Sequence, residues 1–227
     1  MGAPVRAVLF DLDGTLLDTA GDIALALQRA FADHGQEGPT LEEVRCMIGR
    51  GAPLLVDRAC EARALPWTPV QRQEVLERFF HHYGALHADN ESRAQPYDGV
   101  PEALAALHAQ GLPMAVVTNK QHRFAVELLS HLNLDSYLPV VVGGDTCERR
   151  KPDPQPLQWA CTQLNVPITH TVMVGDSVND VQAARAAGMR VVCVPYGYNE
   201  GQDPRRLSCD HMVDTLQDLP ALWGLAA

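Results

Sequence analysis

Apolar and polar positions follow two different rhythms along this chain, one short and unbroken, the other helical. From Val5 to Phe10 the residues are apolar apart from Arg6, and the run stops abruptly at Asp11. A short run of that kind predicts a central parallel strand, covered on both faces and ending at a polar edge. From Gly21 to Ala32 the pattern turns helical: Ile23, Leu27 and Ala30 share a stripe with Ala24 and Phe31, and Gly35 offers a stop. Thr40, with Glu43 three residues on, makes a capping box ahead of LEEVRCMI, a short helix that ends at Gly49-Arg50-Gly51. Two further helical stretches, Leu54 to Ala64 and Thr68 to Leu86, are separated by Pro66 and Pro69. The chain from Gly21 to about Arg93 is therefore expected to be all helix.

After Pro96 helices and strands alternate. Asp98 and Pro101 are expected to open a helix that runs to Gly111 with Leu104 and Leu107 inward, and PMAVVTN is a strand ending at Thr118. A helix from His122 to Leu132, the strand LPVVVGG and a helix after Pro154 follow. The strand THTVMVGD ends at Asp176, NDVQAARAAG is a helix ending at Gly188, and MRVVCVP is another strand. A short strand near Met212 and a helix from about Leu216 to Trp223 close the pattern. This alternation predicts an α/β fold, a doubly wound parallel sheet with a Rossmann-like core, into which an all-helical cap domain is inserted. The expected division is 1–17 with 96–227 for the core and 18–95 for the cap. The sequence contains no internal repeat and no low-complexity segment.

Composition narrows the function classes. With 46% hydrophobic and 20% charged residues among 227, the chain can bury a sizeable core. No apolar run reaches the roughly 20 residues that span a bilayer. The N-terminal run is too short for a secretory signal, and Arg6 breaks the myristoylation pattern, so a cytoplasmic location is expected. A net charge of −10 argues against a nucleic-acid partner, and the densest basic cluster is only Arg149, Arg150 and Lys151. An anionic substrate must then be drawn by a few focused cations or by a metal. The six cysteines show no C-x-x-C spacing and are expected to be reduced. A monomer and a homodimer fit the sequence equally well.

Ligands of doubly wound sheets bind beyond the carboxyl ends of the strands. Three predicted strand ends carry polar residues of one theme: Asp11 and Asp13, then Thr118 and Asn119, then Asp176 with Asp180 just beyond. Lys151 lies in the connection between the strand LPVVVGG and the helix after it. In DLDGT, Asp11 and Asp13 are two apart in an extended segment, so both side chains can share one side while Leu12 anchors the loop. Gly14 then permits a tight turn. Paired aspartates around a glycine also suit an exposed turn, but here an apolar strand delivers the pair to the sheet edge.

These groups, VLFDLDGTLLDT, Thr118 in VVTNK, Lys151 in KPDP and GDSVND from Gly175 to Asp180, resemble in order and spacing the four motifs of the haloacid dehalogenase superfamily of phosphohydrolases. The resemblance implies a nucleophilic Asp11 that forms an aspartyl-phosphate and an Asp13 that serves as general acid and then base. It implies that Thr118 and the backbone N–H of Asn119 bind the phosphoryl group and that Lys151 neutralises its charge. It further implies Mg²⁺ on Asp11, the main-chain carbonyl of Asp13 and Asp176, with Asp180 behind, holding Lys151 or a metal water. The acid at Asp13 favours phosphate chemistry over dehalogenation, because halide leaves without a proton.

The opening DLDGTLLDTAGDI, the turn Ile48-Gly49-Arg50-Gly51, GDSVNDVQAARAAGM and YGYNEG from Tyr196 to Gly201 resemble the bacterial phosphoglycolate phosphatases of that superfamily. Hydrolysis of 2-phosphoglycolate to glycolate and phosphate is the expectation this carries. A sugar-phosphate or promiscuous phosphatase, a β-phosphoglucomutase-type mutase and a non-catalytic protein on the same fold stay open as alternatives. Arg50 could meet a substrate carboxylate, or the two glycines beside it could simply end one helix and start the next. Asp18 and Asp22 are expected to cap the first cap helix, His81 and His82 to lie on a solvated face, and Trp67, Trp159 and Trp223 to be packing anchors.

Overall fold

The computed structural model describes residues 3–89 and 91–225. In chain order the strands are β1 (Ala7–Phe10), β2 (Leu17–Asp18), β3 (Gln95–Pro96), β4 (Met114–Val117), β5 (Val140–Val142), β6 (Thr171–Gly175), β7 (Arg190–Cys193) and β8 (His211–Met212). The α-helices are α1 (Ala20–Ala32), α2 (Leu41–Arg45), α3 (Ala52–Ala62), α4 (Pro69–Ala88), α5 (Val100–Ala109), α6 (His122–His131), α7 (Gln155–Leu164), α8 (Val178–Ala187) and α9 (Leu219–Leu222). Six strands make one parallel sheet in the order β5-β4-β1-β6-β7-β8.

The apolar run at the start of the chain becomes the middle of that sheet, with β4 hydrogen-bonded on one side of β1 and β6 on the other. All four β1 side chains are fully buried. Period-two alternation sends Val8 and Phe10 into one apolar layer with Leu104, Leu107 and Leu128, and Leu9 into the opposite layer with Leu157, Met173 and Met189. Helices therefore cover both faces, as a parallel sheet requires. This is the Rossmann-like arrangement expected from the sequence.

Helices α1 to α4 lie in sequence between β2 and β3 and build an apolar cluster of their own from Leu27, Phe31, Val56, Phe79 and Tyr83. Two capping boxes start α2 and α4, Thr40 with Glu43 and Thr68 with Gln71. Phe124 of α6 and Tyr198 from the loop after β7 join this cluster, so the helical block is seated on the sheet domain. The two-residue strands β2 and β3 pair antiparallel, Leu17 opposite Pro96 and Asp18 opposite Gln95. They clasp the entry and exit of the block side by side. Strands that short carry no periodicity, and the sequence did not announce them.

Two expectations need correction. The helix after Pro96 is capped by Gly99, with φ of 83°, and not by Asp98; Pro101 sits in its first turn. Trp159 is 37% exposed on α7 and anchors nothing comparable to Trp67, whose ring lies 5.3 Å from that of Phe31. Trp223 does pack against the core.

Leu27 is fully buried in the cluster of α1 to α4. Leu27→Ala is expected to destabilise the protein by about 2–5 kcal/mol, measured by urea unfolding, because the removed methyl groups leave a cavity.

Candidate active site

Strands β4, β1 and β6 are neighbours, so their carboxyl ends bring Thr118, Asp11 and Asp176 to one edge. The sheet fixes their backbones: the Asp11 N–H donates to the Val174 carbonyl at 2.9 Å, and the Thr118 N–H to the Val142 carbonyl at 2.9 Å. Asp11 Oδ1 accepts from the Leu12 N–H at 2.7 Å and lies 2.9 Å from Lys151 Nζ. The same ammonium donates to Asp180 Oδ1 at 2.7 Å. Asp180 is fully buried, and its other oxygen accepts from the backbone N–H and the hydroxyl of Ser177 at the start of α8. Helix capping and cation binding thus fall on one carboxylate.

Asp176 is gripped from both sides. Its Oδ1 accepts from Thr15 Oγ1 at 3.1 Å and its Oδ2 from the Tyr198 N–H at 2.7 Å. Gly14, with φ of +90°, and Gly197 press so close that a Cβ at either position would collide with this carboxylate.

Electrostatics here is dominated by crowded negative charge. Burial, with Asp180 and Asp176 nearby, pushes Asp11 well above the usual carboxylate range despite Lys151. Burial and Asp180 push Asp176 up to about 7. Burial opposes the charge on Lys151, but Asp11 and Asp180 outweigh it and push the ammonium up to about 12. Oxygens of Asp11, Asp176 and Asp180 lie within 4.8 Å of one another. One ammonium does not balance three buried carboxylates, and an all-oxygen donor set of this kind fits a hard divalent cation such as Mg²⁺.

Asp13, two residues beyond Asp11 on the same loop, lines the same pocket. Its Oδ1 accepts from Thr19 Oγ1 at 2.6 Å and from Lys120 Nζ at 3.0 Å. Thr118 Oγ1 accepts from the Lys120 N–H at 3.1 Å. The Asn119 amide donates to the carbonyls of Gly49 and Lys151, both at 2.9 Å, and so ties the α2–α3 turn to the lysine segment. Asp11, Asp13, Thr118, Asn119 and Lys120 line one side of a pocket, and the helical block closes it with apolar side chains that include Leu55, Phe79 and Phe80.

Residues 8–194 match the model of the family described as haloacid dehalogenase-like hydrolase. The chain belongs to that family. It is 44% identical over 217 residues to a phosphoglycolate phosphatase of Thiobacillus denitrificans, covering 95% of this chain and 94% of the relative. It is 45% identical over 220 residues to a plasmid phosphoglycolate phosphatase of Cupriavidus necator, covering 96% and 93%. A crystal structure described as a predicted phosphoglycolate phosphatase from Haemophilus somnus superposes with a TM-score of 0.89 at 31% identity, covering 96% of this chain and 97% of the other.

Within this haloacid dehalogenase-like site, the structure does not bring every expected residue together. Arg50 is turned away: its Nε donates to Glu200 Oε1 at 2.8 Å, and it is not among the pocket-lining residues. Glu200 also accepts from Arg58 at 2.8 Å. Burial works to raise Glu200, but the two guanidiniums outweigh it and hold the carboxyl below its usual range. Asp18 receives the Ala20 N–H at 3.3 Å and pairs with Arg45, as a partial cap of α1. Asp22 caps nothing and instead accepts from the Ser92 hydroxyl and the Arg93 N–H, binding the returning chain. His81 is exposed, while His82 pairs with Asp33 at 2.7 Å. Among the described residues, no helix is long and apolar enough to cross a membrane.

Sequence reasoning gave no role to Lys120 or Tyr83, and it used Tyr198 only as part of a resemblance. The Tyr198 hydroxyl accepts from the N–H groups of Thr19 and Ala20 at 2.8 and 2.9 Å and donates to Asp18 at 2.8 Å. It shares the capping of α1 with Asp18, and it is supplied from 178 residues away in sequence. Tyr198→Phe is expected to cost about 1–3 kcal/mol in urea unfolding, because the fully buried Thr19 loses its amide's partner.

Proposed function

We propose that this phosphatase hydrolyses 2-phosphoglycolate to glycolate and phosphate through an aspartyl-phosphate at Asp11. The observation that carries the reading is that Asp11 and Asp13 line one pocket, with Lys151 2.9 Å from Asp11. The near full-length likeness to enzymes named phosphoglycolate phosphatase supports the choice of substrate. The pocket wall supports it as well. A sugar needs partners for several hydroxyls, whereas the wall built by Leu55, Phe79 and Phe80 suits a small organic group.

A carboxylate oxygen of Asp11 attacks phosphorus in line as the ester P–O bond breaks. Asp13, carrying a proton, gives it to the departing alkoxide oxygen, which would otherwise be a poor leaving group. In the second displacement Asp13 takes a proton from water, the water oxygen bonds to phosphorus, and the bond to Asp11 breaks to release phosphate. The Thr118 hydroxyl accepts from Lys120 and keeps its own hydrogen for a phosphoryl oxygen, beside the Asn119 backbone N–H. Lys151 holds positive charge against the phosphoryl group.

Asp11, the main-chain carbonyl of Asp13 and Asp176 would hold Mg²⁺, which supplies the positive charge that lets carboxylates and phosphate share one site. Both oxygens of Asp180 are taken by Lys151 and Ser177, which suits a supporting place behind the ion. The helical block, 18–95 by this division, excludes water when seated.

A panel of phosphate monoesters tests the substrate: 2-phosphoglycolate is expected to give the highest kcat/KM, and turnover confined to other esters would contradict the assignment. Asp11→Asn is expected to lower kcat by at least about 10³-fold, since the amide is no nucleophile. EDTA is expected to abolish turnover and added Mg²⁺ to restore it; full activity in metal-free buffer would remove the metal from the mechanism.

A further inference from the structure

Among the described residues that line the pocket, Lys120 is the one that carries a positive charge. Its side chain is 8% exposed, and its ammonium lies 4.6 Å above the ring centroid of Tyr83. The same ammonium lies 3.0 Å from Asp13 Oδ1. An ammonium has three hydrogens. Asp13 takes one and Tyr83 at most another, so capacity remains.

Tyr83 is 1% exposed, and its hydroxyl is buried without a hydrogen-bond partner of good geometry. Leaving a buried hydroxyl so costs free energy unless something completes it. Lys120 comes from the loop after β4 and Tyr83 from α4, so the two meet only across the seam between sheet domain and helical block. The surroundings are apolar: Phe79, Phe80 and Phe124 line the same pocket. A second negative charge on a substrate is expensive in such a place except beside this ammonium.

We propose that Lys120 and Tyr83 together form the receptor for a carboxylate carried by the organic part of the substrate, and that seating of the helical block completes it. This deepens the reading of the chain as a phosphatase of a small phosphorylated acid and rests on it. Arg50, the residue that sequence alone offered for this task, is committed to Glu200. The receptor also gives the cap a selective role: an ester without the second anion leaves Tyr83 and Lys120 unsatisfied when the block closes.

The test compares 2-phosphoglycolate with its neutral amide, phosphoglycolamide, and reads the ratio of their kcat/KM values. Lys120→Met is expected to lower that ratio about 100-fold and Tyr83→Phe about tenfold, each mainly through KM of the acid, as loss of bonds to a charged group predicts. Lys120→Arg is expected to recover part of the ratio. If acid and amide fall by the same factor in both variants, Lys120 merely orients Asp13 and the receptor is overturned. Should Lys120→Met fail to fold, Tyr83→Phe alone decides. A wild type that prefers a different phosphorylated acid sinks the 2-phosphoglycolate reading, and the ratio is then taken on that acid and its amide. A wild type with no preference for the acid over the amide sinks the receptor and leaves the phosphatase standing.

Discussion

The constraint behind this structure is the repulsion among Asp11, Asp176 and Asp180, three carboxylates with oxygens within 4.8 Å in a buried place. Left alone, such groups would take up protons or push apart. Each is instead held by a separate device. Lys151 bridges Asp11 and Asp180, Ser177 closes on Asp180 from the head of α8, and Thr15 with the Tyr198 amide grips Asp176. Gly14 and Gly197 supply the room that any side chain would remove. The parallel sheet matters because it delivers two of these acids from adjacent strands whose backbones cannot shift independently.

This organisation explains what was legible beforehand. The apolar run into Asp11, the run into Asp176 and the run into Thr118 are local patterns, and a doubly wound sheet turns local strand ends into one edge. The helical block was legible too, through its stripes and through Thr40 with Glu43. What stayed hidden depends on partners remote in sequence. Lys120 stands beside Thr118 and Asn119 in plain view, yet its meaning comes from Asp13 and Tyr83, which lie on other elements. Arg50 pointed to a substrate only because Glu200, which claims its guanidinium, sits 150 residues away. Asp22 sits where a helix start welcomes an acid, and only the fold reveals Ser92 and Arg93 as its partners.

Tyr198 links these two levels. Its backbone N–H holds Asp176, and its hydroxyl caps the start of α1. The acidic centre and the first helix of the block thus meet in one residue, with the Arg45 guanidinium 5.6 Å from its ring centroid.

The pairing of β2 with β3 has a consequence for how such a molecule can vary. The chain leaves the sheet domain at Leu17 and returns at Pro96, directly opposite, about one strand spacing apart. For the sheet domain, everything between is a closed loop whose ends are already fixed together. Loop-closure entropy grows only with the logarithm of length, so each doubling adds about 0.6 kcal/mol. A longer, shorter or differently folded excursion could therefore be grafted at this clasp with little penalty to the sheet. The side chains at the strand ends keep their places, while those that the block contributes to the pocket, Leu55, Phe79, Phe80 and Tyr83, are free to be exchanged.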